Sequence, residues 1–90
     1  MITWDEDKRA KNLKRHGIDL ADCETLFDEP MITKEDTREA YGEQRSQSLA
    51  LLNGLVVFAV WTERPTGAHM ISVREAERHE KRFYYANIQF

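Results

Sequence analysis

The chain has 90 residues, 41% of them hydrophobic and 32% charged. That composition builds a core and excludes both a disordered tail and a separate cofactor domain, so residues 1–90 are read as one domain. The net charge of −3 excludes a surface that is basic all over, and the one cysteine, Cys23, excludes an internal disulfide or a cysteine-based zinc site.

The opening reads as two short helices. Thr3-Trp4-Asp5-Glu6 has the spacing of a capping box, with Asp5 as a second candidate N-cap. Early acids and the later Lys14 and Arg15 suit the helix dipole, and Gly17 supplies a left-handed residue to end the helix. Asp19 caps the next helix, in which Leu20, Cys23 and Phe27 share one face, and Asp28-Glu29-Pro30 stops it. The acidic start does not resemble a leader peptide, and no segment reaches the roughly 18 apolar residues of a membrane span, so a cytoplasmic protein is expected.

Met31-Ile32-Thr33 fits a short edge strand, and the polar residues 34–42 fit a loop or a loose hairpin connection. Ser48 to Leu52 leads into Asn53-Gly54, the pair best suited to a type I′ turn, where both residues need positive φ. Leu55 to Trp61 is apolar without alternation, as in a central strand buried on both faces. Residues 62–67 read as a turn and Ala68 to Val73 as a further strand. Ser72-Val73-Arg74-Glu75 offers a capping box for a last helix running to about Ala86, with Ala76, Phe83 and Tyr84 toward the sheet and Glu77 paired with Lys81. The expected class is α+β: two N-terminal helices, an antiparallel sheet of three to four strands, and a C-terminal helix.

Little here supports metal or cofactor chemistry. His16, His69 and His79 are far apart, and the four glycines are isolated, so neither a zinc helix nor a phosphate loop is present. Cys23, on an apolar helix face, reads as a buried thiol. Two sets of cations stand out. Lys8 to Arg15 holds five cations and no acid, and Lys8, Lys11 and Arg15 share a helix face. That face fits a nucleic-acid backbone, an acidic partner, or plain solvation. Arg45 precedes a strand, Glu63-Arg64 ends the central strand, and Arg74 ends the next. Arginine's planar fork suits phosphate, although each also fits a solvated or ion-paired residue. Antiparallel pairing puts Arg64 and Arg74 at opposite ends of one ladder.

In order along the chain come Trp4-Asp5, Lys8, Asn12 and Lys14-Arg15-His16-Gly17-Ile18, then Phe27-Asp28-Glu29-Pro30 and Gly42-Glu43-Gln44-Arg45. Thr62-Glu63-Arg64, Ile71-Ser72-Val73-Arg74-Glu75-Ala76, Glu80 and Tyr84 follow. This ordered set resembles the BrnT toxins over nearly the whole chain. The resemblance implies a RelE-like fold and a metal-independent RNA endonuclease that inhibits translation, the toxin of a type II toxin–antitoxin pair. It implies neutralisation by a BrnA-like ribbon-helix-helix antitoxin, with operator DNA met only through that antitoxin. It carries over Arg64, Arg74, Glu63 and Glu80 as catalytic positions, and Lys8, Arg45, His69 and Tyr84 as RNA-binding ones. Arg64 and Arg74 would stabilise phosphate charge, Glu63 or Glu80 would act as base or orient an arginine, and Tyr84 would stack on a base or donate a proton. Three positions depart from the family pattern: Ala50 stands where glycine is usual, His69 where a second arginine is, and Glu75 where lysine is common. His69 in that place suits acid–base work near neutral pH. The rival reading is a catalytically weakened or inactive antitoxin-binding domain on the same fold. A direct DNA binder fits least, for want of a recognition-helix motif.

Overall fold

The computed structural model describes residues 1–36 and 42–89. Its elements in chain order are β1 (Thr3–Trp4), α1 (Glu6–His16), a 3₁₀ helix (Leu20–Asp28), β2 (Ile32–Asp36), β3 (Arg45–Leu52), β4 (Leu55–Arg64), β5 (Gly67–Glu75) and α2 (Arg78–Asn87). The strands form one sheet in the order β1-β5-β4-β3-β2, with β1 parallel to β5 and the other pairs antiparallel. The class is α+β, but the expected RelE-like plan of two N-terminal helices over three to four antiparallel strands does not form. The sheet has five strands and is mixed.

Each difference has a local cause. Thr3 does not cap a helix; Thr3 and Trp4 pair with His69 and Met70 as a short parallel strand. Asp5 is the N-cap, its side chain accepting the Asp7 N–H at 3.0 Å. Gly17 ends α1 as expected, at φ 71° with its N–H on the Leu13 carbonyl. The second helix winds as 3₁₀, so Leu20, Cys23 and Leu26 are its buried residues, three apart. Phe27 is only half-buried and meets Trp61 edge to face at 5.2 Å. β2 continues through Lys34, Glu35 and Asp36, and its exposed Lys34 and Glu35 make a charged edge that discourages pairing with other chains. The rest of the expected loop, residues 37–41, lies outside the described residues.

The Asn53-Gly54 hairpin forms as expected, with φ of 51° and 81°. β4 and β5 run longer than predicted and leave only Pro65 and Thr66 as the turn between them. β5 continues to Glu75, so the last helix starts at Arg78 rather than near Arg74. Its capping contact is the Glu77 N–H on the Glu80 carboxylate at 2.7 Å, and Lys81 pairs with Glu75 rather than Glu77.

Strand alternation divides the core. Ala50, Leu52, Val57, Ala59, Met70 and Val73 face the 3₁₀ helix and pack on its Leu20, Cys23 and Leu26. On the other face, Leu49, Leu51, Val56 and Ile32 pack with Ala76, Tyr84 and Ile88. α2 covers only the end of that face near the Asn53-Gly54 turn. α1 stands at the β5 edge, and Asn12 is its one buried residue.

Candidate functional site

The site is built on the sheet face that carries α2, beyond the end that α2 covers; Gln47, Val60 and Thr62 are buried there, whereas Lys34 and Arg64 are exposed. On β4 the residues Val56, Phe58, Val60, Thr62 and Arg64 alternate onto this face. The register places Gln47 and Arg45 beside them on β3, Lys34 and Asp36 on β2, and Ser72, Arg74 and His69 on β5. Arg64, Arg74, Arg45 and His69 therefore share one face. Arg74 lies opposite Phe58, six residues from Arg64, so the two are about 20 Å apart along the strand at roughly 3.3 Å per residue. They belong to two centres.

The first centre is Arg74. Its guanidinium makes a two-pronged contact with the Glu80 carboxylate, at 2.8 and 3.1 Å, and stacks 4.3 Å from the centroid of Phe58. Glu80 also receives the Glu77 N–H, so one carboxylate both caps α2 and fixes Arg74. Arg74 holds the Glu80 carboxyl below its ordinary value, and Glu80 in turn raises Arg74. Glu80 is therefore a carboxylate at neutral pH, committed to its partners. An open groove of about 460 Å³ lies beside this pair, walled by Lys34, Gln47, Phe58, His79 and Phe83 among others.

The second centre gathers where β1, β4 and β5 meet. His69 Nδ1 shares a 2.8 Å hydrogen bond with the Thr3 hydroxyl. Burial lowers the His69 pKa from 6.5, and the charges of Arg64 and Lys8 lower it further, against Glu43 and Asp5. The ring is therefore mostly neutral at pH 7. Arg64 reaches Glu43 at 3.2 Å and keeps much of its side chain exposed. Beneath them Thr62 is buried and donates to the Gln44 carbonyl at 2.6 Å, anchoring the approach to β3.

Not every expected residue joins these centres. Glu63, next to Arg64 on one strand, alternates to the opposite face and is exposed there. Tyr84 has no exposed surface; its hydroxyl donates to the Pro30 carbonyl at 2.7 Å, and burial raises its pKa. Arg45 is half-buried opposite Asp36 at the end of the sheet. Lys8 lies within electrostatic reach of His69. Cys23 is fully buried, and its thiol is pushed up to about 12 chiefly by burial. Among the described residues, no three of His, Cys, Asp and Glu gather in a metal-binding cluster.

Two participants went unnoticed in the sequence. Phe58 hid inside an apolar run, although counting every second residue back from Arg64 reaches it. Thr3 had no signal, because its role depends on pairing with a residue 66 positions away.

These features describe a small α+β domain with charged groups spaced along one face of its sheet. Residues 4–80 match the ribonuclease toxin BrnT of type II toxin–antitoxin systems, and the chain belongs to that family. It is a ribonuclease toxin, and such a toxin has an antitoxin as its partner. A comparison with curated proteins finds no match. No helix among the described residues is long and apolar enough to cross a membrane.

Proposed function

We propose that this toxin is a metal-independent RNA endonuclease that blocks translation, and that RNA runs along the charged groups of this sheet face with cleavage at the His69 centre. The observation that carries the reading is the His69–Thr3 pair, with Arg64 and Lys8 within electrostatic reach. In the tautomer whose Nδ1–H donates to the Thr3 hydroxyl, His69 presents a bare Nε2 as proton acceptor. It takes the proton of a ribose 2′-hydroxyl. The 2′-oxygen then bonds to the adjacent phosphorus, the bond from phosphorus to the 5′-oxygen breaks, and that oxygen takes a proton from solvent. Arg64 and Lys8 stabilise the added negative charge on the phosphate.

Arg74, fixed by Glu80 and stacked on Phe58, holds a phosphate several nucleotides away. Glu80 orients the arginine and does not move protons, because its carboxylate is already bonded to three donors. Arg45 contributes positive potential from the β3 end. Glu63 and Tyr84 lie outside this RNA path. We assign the antitoxin partner as a BrnA-like ribbon-helix-helix protein that neutralises the toxin and meets operator DNA itself.

The test is cleavage of a labelled RNA by purified protein in excess EDTA. Wild type should cut and leave 2′,3′-cyclic phosphate ends. His69→Gln should lose about 10²-fold or more, the usual range for a general base, and Arg64→Ala should also be impaired. Since His69 has its pKa lowered from 6.5, the acid limb of the rate profile should fall below pH 6.5 and vanish in His69→Gln. Cleavage that EDTA abolishes, or a His69→Gln variant as fast as wild type, would overturn the mechanism. Intact RNA with correctly folded wild type would favour the inactive, antitoxin-binding reading.

A further inference from the structure

The five-cation run of the first helix is divided by the fold. Arg9 is consumed by Asp19, at 2.8 and 3.0 Å, and by Glu6. Lys8, Lys11 and Arg15 form no ion pair with another described residue. They lie with Asn12 and His16 along one side of a cleft of about 150 Å³, whose other side is Ile71 and Ser72 of β5. Among the described residues, no carboxylate lines it.

Two structural features make this cleft. β1 covers β5 only at His69 and Met70, which leaves the edge beyond open. There Asn12 takes the place of a strand: its side chain accepts the Val73 N–H at 3.0 Å and donates to the Val73 carbonyl at 2.9 Å. That contact ties the basic side of α1 to the sheet edge. In addition, Val60 pairs with Ser72 and Trp61 with Met70, so Ile71 is an extra residue and β5 bulges at this point. Ser72 sits between His69 and Arg74 on the same strand and face. Lys8 lines the cleft and lies within electrostatic reach of His69.

We propose that this cleft is a phosphate subsite, in which Lys11, Arg15 and the Ser72 hydroxyl hold a backbone phosphate of single-stranded RNA between the His69 and Arg74 centres. This rests on the reading of the charged sheet face as the RNA surface. It extends that surface around the β5 edge and gives the strand a continuous path along β5. Lysine and arginine supply charge without base preference, so the subsite fixes register and affinity, not sequence.

The test is binding of a short 2′-O-methyl RNA, which lacks the attacking hydroxyl, followed by fluorescence anisotropy over a salt series. Each phosphate contact on a single strand contributes about 0.7 to the salt slope, so Lys11→Ala with Arg15→Ala should lower the slope by about 1.4. At about 0.1 M salt the same two contacts correspond to roughly 25-fold weaker binding. Lys14→Ala with Arg82→Ala removes equal charge from outside the cleft and should have less than half that effect. Lys11→Arg with Arg15→Lys should keep the slope.

A double alanine variant that is folded but no weaker than the Lys14/Arg82 control overturns the subsite. So does one that binds RNA normally yet escapes inhibition by the antitoxin, which would assign the cleft to the protein partner. If wild type cuts RNA and the double variant binds as well as it does, only the subsite fails. If wild type binds no RNA at all, the reading of the sheet face fails with it.

Discussion

Asn12→Ala tests how the fold holds its most polar helix. No apolar side chain of α1 is buried; Leu13 is 47% exposed, whereas Asn12 is 5% exposed. Its amide group makes three hydrogen bonds: donations to the Ile18 and Val73 carbonyls at 2.8 and 2.9 Å, and acceptance of the Val73 N–H at 3.0 Å. Alanine leaves one backbone N–H and two carbonyls without partners. A buried polar group left unpaired costs about 1–3 kcal/mol, and carbonyls tolerate this better than an N–H. Three such losses, with partial entry of water, come to about 3–4 kcal/mol. A domain of this size has roughly 5–13 kcal/mol of stability in total. At about 4–8 °C per kcal/mol, the melting temperature should fall by roughly 12–30 °C. Asn12→Asp should be no better, since it keeps the acceptor for Val73 but sets a carboxylate against two carbonyls. Thermal unfolding followed by circular dichroism reads both variants. A fall of less than about 4 °C for Asn12→Ala would refute the reasoning, and would mean that α1 is held by Arg9–Asp19 and the turn at Gly17 alone.

Three other outcomes follow from named contacts. Tyr84→Phe removes only the hydroxyl on Pro30, so it should cost about 1 kcal/mol and leave RNA cleavage unchanged; loss of cleavage with an unchanged melting temperature would place Tyr84 on the substrate instead. Glu80 has its pKa lowered from 4.5 by Arg74, so its stabilising effect is complete above 4.5 and is lost as pH falls through the lower folded value. Glu80→Gln should therefore melt lower than wild type at neutral pH and lose less on acidification below 4.5; parallel melting curves from neutral to acid pH would contradict this. Cys23, with no exposed surface and a thiol pushed up to about 12, should resist alkylation at neutral pH until the protein unfolds, and prompt labelling of the native form would show that the 3₁₀ helix opens.

The parts of the fold legible in the sequence are those set by a few adjacent residues. Gly17 and Asn53-Gly54 dictate their backbone angles locally, and both behaved as read. The 3₁₀ helix shows where local reading stops. Periods of 3.0 and 3.6 agree on Leu20 and Cys23 and part only at the third turn, where the sheet accepts Leu26 and leaves Phe27 to Trp61. β1 is two residues long and exists only through its partner on β5, so no periodicity could reveal it. Two capping patterns compete after Ser72, and pairing of Arg74 with Phe58 decides for the later one by keeping β5 extended. The site divides the same way. Arg64 and Arg74 were visible as charges, and alternation alone separates Glu63 from Arg64. The burial of Tyr84 was not visible, because its acceptor is a carbonyl 54 residues earlier.

An acidic protein that handles a polyanion must keep unpaired acids away from its binding face, and the layers of this fold set many of them on the far side. Asp22, Glu24, Asp28 and Glu29 are exposed on or just after the 3₁₀ helix, which packs against the far face of the sheet. Lys8, Lys11 and Arg15 stand at the β5 edge, and Lys34, Arg64 and Arg74 on the near face, where Glu43 and Glu80 are each tied to an arginine. Packed layers are about 10 Å apart, while the screening length at physiological salt is about 8 Å. The acids of the far layer therefore add little to the potential that an RNA strand would meet, and the net charge of −3 is a poor guide to that face. Asp22→Asn with Asp28→Asn should then leave affinity for the 2′-O-methyl RNA within about twofold at 0.15 M salt, although two negative charges are gone. Tightening on the scale expected for losing Lys11 and Arg15 would show that whole-molecule charge governs binding, and that the arrangement of the layers does not.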